Sequence, residues 1–207
     1  MSDVKPGGVE WAPRATADQV KAFSHPLRMR LYSLLGDQGR ATASMLARQT
    51  GESSGQTSYH LRQLARFGLV EEAEEQGVGR ERWWQAVSFS FQTYPDRDHP
   101  EVVPGVDLVA AHFIDDTAAA MHRWRVQAAD EPDEWRRATS GSTSSAWMTV
   151  DELATLTEEL TEVLRRNIEA ADVRYDAGEH QGRRRVRAIV STLVLPDSPL
   201  ATDGNPV

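Results

Sequence analysis

Apolar residues in the first ninety positions recur at spacings of three and four, which predicts a series of short amphipathic helices. Thr16 is the predicted N-cap of the first helix, and His25-Pro26 opens the second because the first helical turn tolerates proline. Glycines are expected to end the later helices. The first predicted helix covers residues 16–23, and the second runs from His25 until Gly36 and Gly39 stop it. The third covers residues 41–50 and is ended by Gly51, and the fourth, capped by Ser53 or Ser54, runs to about Phe67 and is ended by Gly68.

A β-hairpin is predicted directly after these helices. Val70–Glu74 and Glu81–Val87 have strand-like patterns, and Gln76–Gly79 between them supplies the glycines of a turn. Trp83 and Trp84 would point to opposite faces of the second strand, so one of them should pack on the core. The predicted fold is mainly α with small β: a winged helix-turn-helix domain at residues 14–91.

The third and fourth predicted helices are separated only by Gly51-Glu52-Ser53. Two short helices joined by a tight turn that contains glycine are typical of a helix-turn-helix, whose second helix enters the major groove of DNA. Thr57, Leu61 and Leu64 form the predicted buried stripe of the second helix. The opposite face carries hydrogen-bonding side chains and no acidic ones, as a base-reading surface requires.

Ten residues are the predicted DNA contacts. Gln56 could bind adenine through both amide atoms, Tyr59 could reach a base edge or a phosphate, and Arg62 and Arg66 are placed for phosphates. For His60, packing beside Leu61 is an equal alternative to a base contact. The predicted contacts are Ser54, Gln56, Ser58, Tyr59, His60, Arg62, Gln63 and Arg66 in the helix, and Arg80 and Arg82 in the wing.

The formal net charge of −8 argues at first against a nucleic-acid partner. From Arg14 to Phe67, however, eight Lys or Arg face three Asp or Glu, a local balance of +5. Because salt screens charges beyond about 8 Å at physiological ionic strength, this local field decides phosphate binding. The acidic remainder of the chain should weaken binding to non-specific DNA.

Several blocks of the first ninety residues resemble the DNA-binding domain of ArsR-type winged helix-turn-helix transcriptional regulators. They are His25–Leu31, Ser58–Ala65, Gly68–Val70 and, in the wing, Gly79–Trp84, in matching order and spacing. The resemblance implies that residues 54–63 lie in the major groove and that Arg80 and Arg82 lie at the flanking minor groove or phosphates.

The chain departs from the metal-sensing branch of that family, which carries a pair of cysteines in the helix before the recognition helix. This chain has no cysteine, and the corresponding helix reads Ala41–Ala47 without any thiolate ligand. A heavy-metal-sensing role is therefore not carried over, and neither a metal nor another cofactor is expected.

A second domain is predicted at residues 106–196, after a proline-containing linker at 92–105. Its predicted elements alternate as α-β-α-β: a helix at Asp107–Ala129, a strand at Ser142–Val150, a helix opened by a capping box at Thr149, and a strand at Val186–Leu195. Residues 1–13 and 197–207 are expected to be flexible tails. The second helix carries a heptad-like stripe, or else a face that packs on its own sheet: Leu153, Leu156, Leu160, Val163 and Asn167.

The second domain offers few candidates for chemistry. Phe113, Trp124 and Trp147 are the apolar side chains that could line a small-molecule pocket. His112 and Asp116 lie one helical turn apart, as metal ligands could, but surface solvation is the favoured interpretation. No nucleophile–base pair or phosphate loop stands out, and the scattered histidines give no catalytic spacing, so an enzyme is not expected.

The sequence favours a sequence-specific transcriptional regulator that binds double-stranded DNA as a homodimer in the cytoplasm. One recognition helix covers too few base pairs for useful specificity, and a two-fold dimer presents two. The second domain either senses a small-molecule effector or only dimerises. The alternative function is a winged-helix module for protein interaction without specific DNA binding. No apolar run reaches the roughly 18 residues of a membrane span, and a repressor is not distinguished from an activator.

Overall fold

The computed structural model describes residues 16–73, 81–87 and 103–196. The described residues form two compact units: a winged unit of residues 16–73, 81–87, 103–145 and 182–186, and a C-terminal unit of 146–181 and 187–196. The first unit therefore continues beyond the expected boundary at residue 106. In chain order the elements are α1 Ala17–Phe23, α2 Pro26–Gln38, β1 Ala41–Thr42, α3 Ala43–Thr50, α4 Ser54–Arg66, β2 Val70–Ala73, β3 Trp83–Ala86, α5 Val103–Gln127, a 3-10 turn Ala128–Asp130, α6 Asp133–Ala138 and α7 Val150–Asp176.

The four predicted helices of the winged unit are confirmed, with small shifts at their ends. Thr16 caps α1 through a capping box with Gln19, and His25 caps α2 by accepting a hydrogen bond from the Leu27 amide at 3.2 Å. Of the two glycines predicted to end α2, Gly39 does so, whereas Gly36 lies within the helix. The helix continues to Gln38 and stops at Gly39, whose φ of 82° lies in the region that favours glycine.

A three-stranded antiparallel sheet in the order β1-β3-β2 closes the winged unit. The predicted hairpin pairs Glu72 with Trp84 and Ala73 with Trp83, and β1 adds a short third strand on the other side of β3. Residues 41 and 42 were assigned to the following helix by periodicity, but they are strand residues here. Of the two tryptophans, Trp84 is buried and Trp83 is half-buried.

The core of the winged unit lies between the helices and the sheet, and α5 contributes to it. Val109 of α5 is fully buried, and Phe113 packs edge-to-face on Phe23 with ring centroids 6.0 Å apart. Gly105 lets α5 approach α1 closely, since a Cβ at this position would lie 2.8 Å from a methyl group of Val20. The fully buried large side chains are Phe23, Leu31, Leu35, Leu46, Leu61, Leu64, Leu69, Val70 and Val109.

The C-terminal unit is centred on α7, whose predicted capping box is present. The Thr149 hydroxyl accepts from the Glu152 amide, and the Glu152 carboxylate accepts from the Thr149 amide at 2.7 Å. None of the 27 residues of α7 is buried. No described helix has the length and apolar character needed to cross a membrane.

The predicted α-β-α-β arrangement of residues 106–196 is not what the structure shows. Residues 142–149 and 186–195 contain no strand, and Val150 already belongs to α7. Their β-branched and aromatic residues satisfy strand propensity, but a strand also needs a hydrogen-bonded neighbour. Neither segment has one within the described chain, so propensity alone misled the assignment.

Candidate nucleic-acid interface

The turn between α3 and α4 is fixed by glycine and by a serine cap. Gly51 adopts a left-handed conformation with φ 75°, and its amide donates to the carbonyl of Ala47 at 3.0 Å. Ser53 then caps α4, because its hydroxyl accepts from the Gln56 amide at 3.2 Å. The turn sets the direction in which α4 leaves α3, and the two helices pack together as a helix-turn-helix.

The inner face of α4 holds the helix against the core. Thr57, Leu61 and Leu64 are each 0% exposed, as the periodicity predicted. Because these three side chains are fully buried, their packing fixes the rotation of α4 about its axis. Truncation of either leucine would leave a cavity in the core. The rotation in turn determines which side chains reach solvent.

The outer face of α4 presents most of the predicted contacts to solvent. Tyr59 is 56% exposed, and Arg62 folds along the helix to donate from Nε to the carbonyl of Ser58 at 3.2 Å. The face holds amide, hydroxyl and guanidinium groups, which match base edges and phosphate oxygens. The exposed predicted contacts are Ser54, Gln56, Tyr59, Arg62 and Arg66, whereas Ser58 and Gln63 are half-buried.

His60 is a correction to the predicted contacts. Its side chain is only 7% exposed, and its ring centroid lies 4.4 Å from that of His25 at the start of α2. Burial, and then the neighbouring His25 and Arg28, lower the pKa of His60, while Glu52 opposes them. The His60 side chain therefore packs against the start of α2 and does not belong to the exposed face of α4.

The wing holds one predicted cation in an ion pair. Arg82 Nη1 lies 2.6 Å from a carboxylate oxygen of Glu72 on the neighbouring strand, and both side chains are more than half exposed. Such a pair contributes about 0–1 kcal/mol, so a phosphate could compete for the guanidinium. Glu72 was not among the predicted site residues, because its diagonal position relative to Arg82 follows from the observed register, in which Glu72 pairs with Trp84. Arg80 lies outside the described residues.

The three predicted pocket residues are divided between the two units: Phe113 and Trp124 belong to the winged unit, and Trp147 belongs to the C-terminal unit. Phe113 belongs to an aromatic cluster of the winged unit, with Phe23 and with Tyr32, whose ring centroid is 6.0 Å away. Trp124 is half-buried on α5, and Trp147 is 90% exposed. Phe113 therefore packs in the core of the winged unit, whereas the side chain of Trp147 is open to solvent.

His112 makes a structural contact between two helices of the winged unit. Its Nε2 lies 3.2 Å from the hydroxyl of Ser33, which is buried on α2. This contact joins α5 to α2. Within the described parts of the chain, no group of three His, Asp or Glu residues is placed to hold a metal ion.

Two of the arginines at 183–187, Arg184 and Arg185, make hydrogen bonds within the winged unit. Arg184 donates to Glu131 at 2.9 Å, and the pKa of that carboxyl falls to about 2 through hydrogen bonds from Arg184 first and then Gln127. Arg185 donates twice to the carbonyl of Gly36, from Nη2 at 3.0 Å and from Nε at 3.2 Å. Arg185 therefore attaches this segment to the last turns of α2.

Comparison with known proteins identifies the same region. A family of helix-turn-helix domains matches residues 23–73, which run from the end of α1 through β2. The chain thus carries a helix-turn-helix domain within a mainly helical fold with a small antiparallel sheet. Among curated proteins, none matches the chain.

Solved structures give only distant matches. A mutant of Lactococcus lactis ZitR in apo form has 14% identity and a TM-score of 0.31, over 70% of this chain and 87% of that chain. Wild-type ZitR in complex with DNA has 14% identity and a TM-score of 0.28, over 79% of this chain and 83% of that chain.

Proposed function

We propose that the protein is a sequence-specific DNA-binding transcriptional regulator whose helix α4 enters the major groove. The observation that carries the proposal is the two-sided character of α4 in a helix-turn-helix. Its inner face is anchored by Thr57, Leu61 and Leu64, and its outer face presents Gln56 and Tyr59 to solvent. A helix held in this way can place side chains against base edges without losing its packing.

The charge distribution supports the same proposal. Residues 14–67 carry a balance of +5 in a chain of net charge −8. Arg62 and Arg66 on α4 and Arg82 on the wing would contact phosphates on either side of the groove, and the predicted role of Arg80 is the same. The resemblance at residues 25–84 favours the ArsR-type branch of such regulators, in a form without the cysteine pair. We assign DNA binding to residues 14–91 and assign dimerisation and regulation to 106–196.

We propose a homodimer because α5 carries an exposed apolar stripe. Ala111, Ile114, Ala118 and Met121 are all exposed, and they follow one another at spacings of three, four and three residues. Ile114 is 62% and Met121 is 61% exposed. This spacing is that of helices that pair side by side, and a second copy of α5 would cover the stripe. Two copies would present two α4 helices to half-sites about one DNA turn apart.

Regulation by a small-molecule effector is the remaining part of the proposal. Arg185 is bonded to the carbonyl of Gly36 in α2, and α2 packs directly against α4. A displacement of residues 182–186, which belong to the winged unit, would reach the recognition helix through α2. Because such linkage is reciprocal, an effector must bind the free protein and the DNA complex with different affinities.

The deciding experiment is a fluorescence anisotropy titration of the protein against genomic DNA fragments at several salt concentrations. We expect a preference among fragments and an affinity that falls with salt, because bound cations displace counterions from phosphates. Binding without preference and without salt dependence would contradict the proposal. That result would favour the alternative, a winged helix that binds a protein partner.

A further inference from the structure

Three rings follow one another from the start of α2 to the exposed face of α4. The ring of His25, the N-cap of α2, lies 4.4 Å from that of His60, centroid to centroid. The centroids of His60 and Tyr59 lie 5.2 Å apart, and these two rings meet edge to face at 77°. This is a favoured geometry for a pair of rings. His60 therefore lies between the cap of one helix and a solvent-facing side chain of the other.

The exposure of the side chains changes sharply between His60 and Tyr59. His60 is 7% exposed, whereas Tyr59 is 56% exposed. Consecutive residues of a helix do not face each other, so the Tyr59 ring must turn towards α2 to make its contact with His60. A buried side chain has little room to move, because the interior is closely packed. The His60 ring thus restricts an exposed side chain that would otherwise sample several rotamers.

Arg28, in the first turn of α2, acts on the same two side chains. Burial lowers the pKa of Arg28, and the charge interaction with Tyr59 opposes that shift, so the two side chains are near enough to interact. The Arg28 guanidinium also contributes to the lowered pKa of His60. Tyr59 therefore has two neighbours on its α2 side, a ring from α4 and a cation from α2.

We propose that His60 is a positioning residue for base reading, which holds the Tyr59 ring in the orientation that contacts a base edge. His60 itself touches no DNA. The inference rests on the proposed function, in which Tyr59 belongs to the reading face of α4. Base edges are read through directed hydrogen bonds, and a side chain that is ordered before binding loses less entropy on binding. The contribution of Tyr59 to specificity should then depend on the ring beside it.

A purely structural His60 would give different results. A histidine that only packs against α2 changes the free energy of unfolding but leaves the operator preference of the folded protein unchanged. A positioning role requires that the effect of His60 on binding pass through Tyr59. Residues that act together give non-additive changes, so a double-variant cycle separates the two roles.

The first measurement needs no DNA. The chain has four tyrosines, so the protein labelled with meta-fluorotyrosine gives few fluorine NMR resonances, and Tyr59→Phe identifies that of Tyr59. We expect His60→Gln to shift this resonance, because the adjacent ring is removed. The matched control is His122→Gln, an exposed position on α5, which should leave the resonance in place. An unshifted resonance in folded His60→Gln would overturn the proposal.

The second measurement is a fluorescence anisotropy titration of full-length variants. The two duplexes are the fragment that the protein prefers in the genomic titration and a scrambled duplex of the same length. We expect His60→Gln to reduce the ratio of the two affinities by about three- to tenfold, and to reduce it no further once Tyr59→Ala is present. His60→Phe, which keeps a ring at this position, should retain most of the preference. In the control background, Arg82→Ala on the wing, the loss caused by His60→Gln should persist.

Thermal melts would confirm that each variant is folded. An equal loss with and without Tyr59→Ala would overturn the proposal, because His60 would then act by another route. An unchanged ratio in folded His60→Gln would overturn it as well. In both cases the unmodified protein would still prefer its fragment. Failure of the proposed function would instead appear as the absence of any preference in the unmodified protein, so the two failures are distinguishable.

Discussion

The rings of His25 and His60 lie 4.4 Å apart, centroid to centroid, between the start of α2 and the underside of α4. His25 caps α2 through its Nδ1, and His60 is nearly buried. Arg28 on α2 and Glu52 in the turn before α4 are the charged groups that act on His60. The buried face of the proposed recognition helix thus carries a titratable group, the imidazole of His60.

The stability of the winged unit should therefore fall in mild acid. The pKa of His60 is lowered in the folded chain, by burial first and then by His25 and Arg28, so the unfolded chain binds more protons. Stability then rises with pH, and it is complete above the unfolded histidine pKa of about 6.5. As pH falls below that value, this contribution is lost progressively until the lower folded pKa is passed. Urea unfolding between pH 5 and 8 would measure the slope.

The matched variants for this prediction are His60→Gln and His122→Gln. The first keeps a polar side chain of similar length but removes the titration, so its pH slope should be shallower than that of the unmodified protein. His122 is exposed on α5, and its replacement should leave the slope unchanged. An unchanged slope in His60→Gln would show that acid sensitivity arises elsewhere.

Gly105→Ala should destabilise the winged unit. The added Cβ would lie 2.8 Å from Val20, which is 3% exposed, and a short β-branched side chain has no room to move aside. Overpacking typically costs about 1–3 kcal/mol, against a gain of about 1 kcal/mol for alanine in a helix, so we expect a net loss of about 1 kcal/mol. Chemical denaturation would measure it.

Gly36→Ala is the control for that substitution. Gly36 lies within α2, and a Cβ there would meet no atom within 4 Å. Its replacement should raise the free energy of unfolding by about 0.5–1 kcal/mol through helix propensity alone. If both variants were stabilised, the close approach of α5 to α1 would not be the reason for glycine at position 105.

The helix-turn-helix could be predicted from sequence because its signals are local. The caps at Thr16 and Ser53 act within three residues, and the stripe of Thr57, Leu61 and Leu64 follows from helical periodicity. The burial of His60 could not be predicted in the same way. It sits at the edge of the stripe, and its burial depends on the tertiary contact with His25, which is remote in sequence.

The structure of residues 142–196 was harder to predict from sequence, because strand pairing depends on contacts that are remote along the chain. The helix that follows Thr149 was predicted correctly, since its capping box is local. The segments 142–149 and 186–195 have strand-like composition, but composition does not say which strand, if any, lies beside them. The packing of α5 is a similar case. Val109 and Phe113 of α5 join the core of the winged unit, although the predicted boundary at residue 106 assigned this helix to the second domain.

Gln56→Ala and Tyr59→Ala should reduce specificity while leaving the fold intact. Both side chains lie on the exposed face of α4, away from Leu61 and Leu64. Loss of a base contact should cost about 1–3 kcal/mol on the cognate site and little on a scrambled duplex. Fluorescence anisotropy on both duplexes would measure the difference, and thermal melts would confirm folding. Folded variants that bind the operator like the unmodified protein would place α4 outside the major groove.

Arg82→Ala and Glu72→Gln should change DNA affinity in opposite directions. Glu72 holds the Arg82 guanidinium at 2.6 Å, so it competes with a phosphate for the same group. Removal of Arg82 should weaken binding to operator and scrambled DNA alike and reduce the salt slope by about one unit. Glu72→Gln removes the competing charge, and it should strengthen binding to both duplexes by up to about fivefold, in line with an exposed pair worth about 0–1 kcal/mol.

The double variant, Arg82→Ala with Glu72→Gln, separates this competition from a general charge effect. If Glu72 acts through Arg82, the gain from Glu72→Gln should disappear once the guanidinium is absent. If Glu72 only repels DNA as a negative charge, the same gain should persist in the Arg82→Ala background. Anisotropy titrations of all four proteins on the operator, at two salt concentrations, would distinguish the cases. A wing that touches no phosphate would give four identical salt slopes.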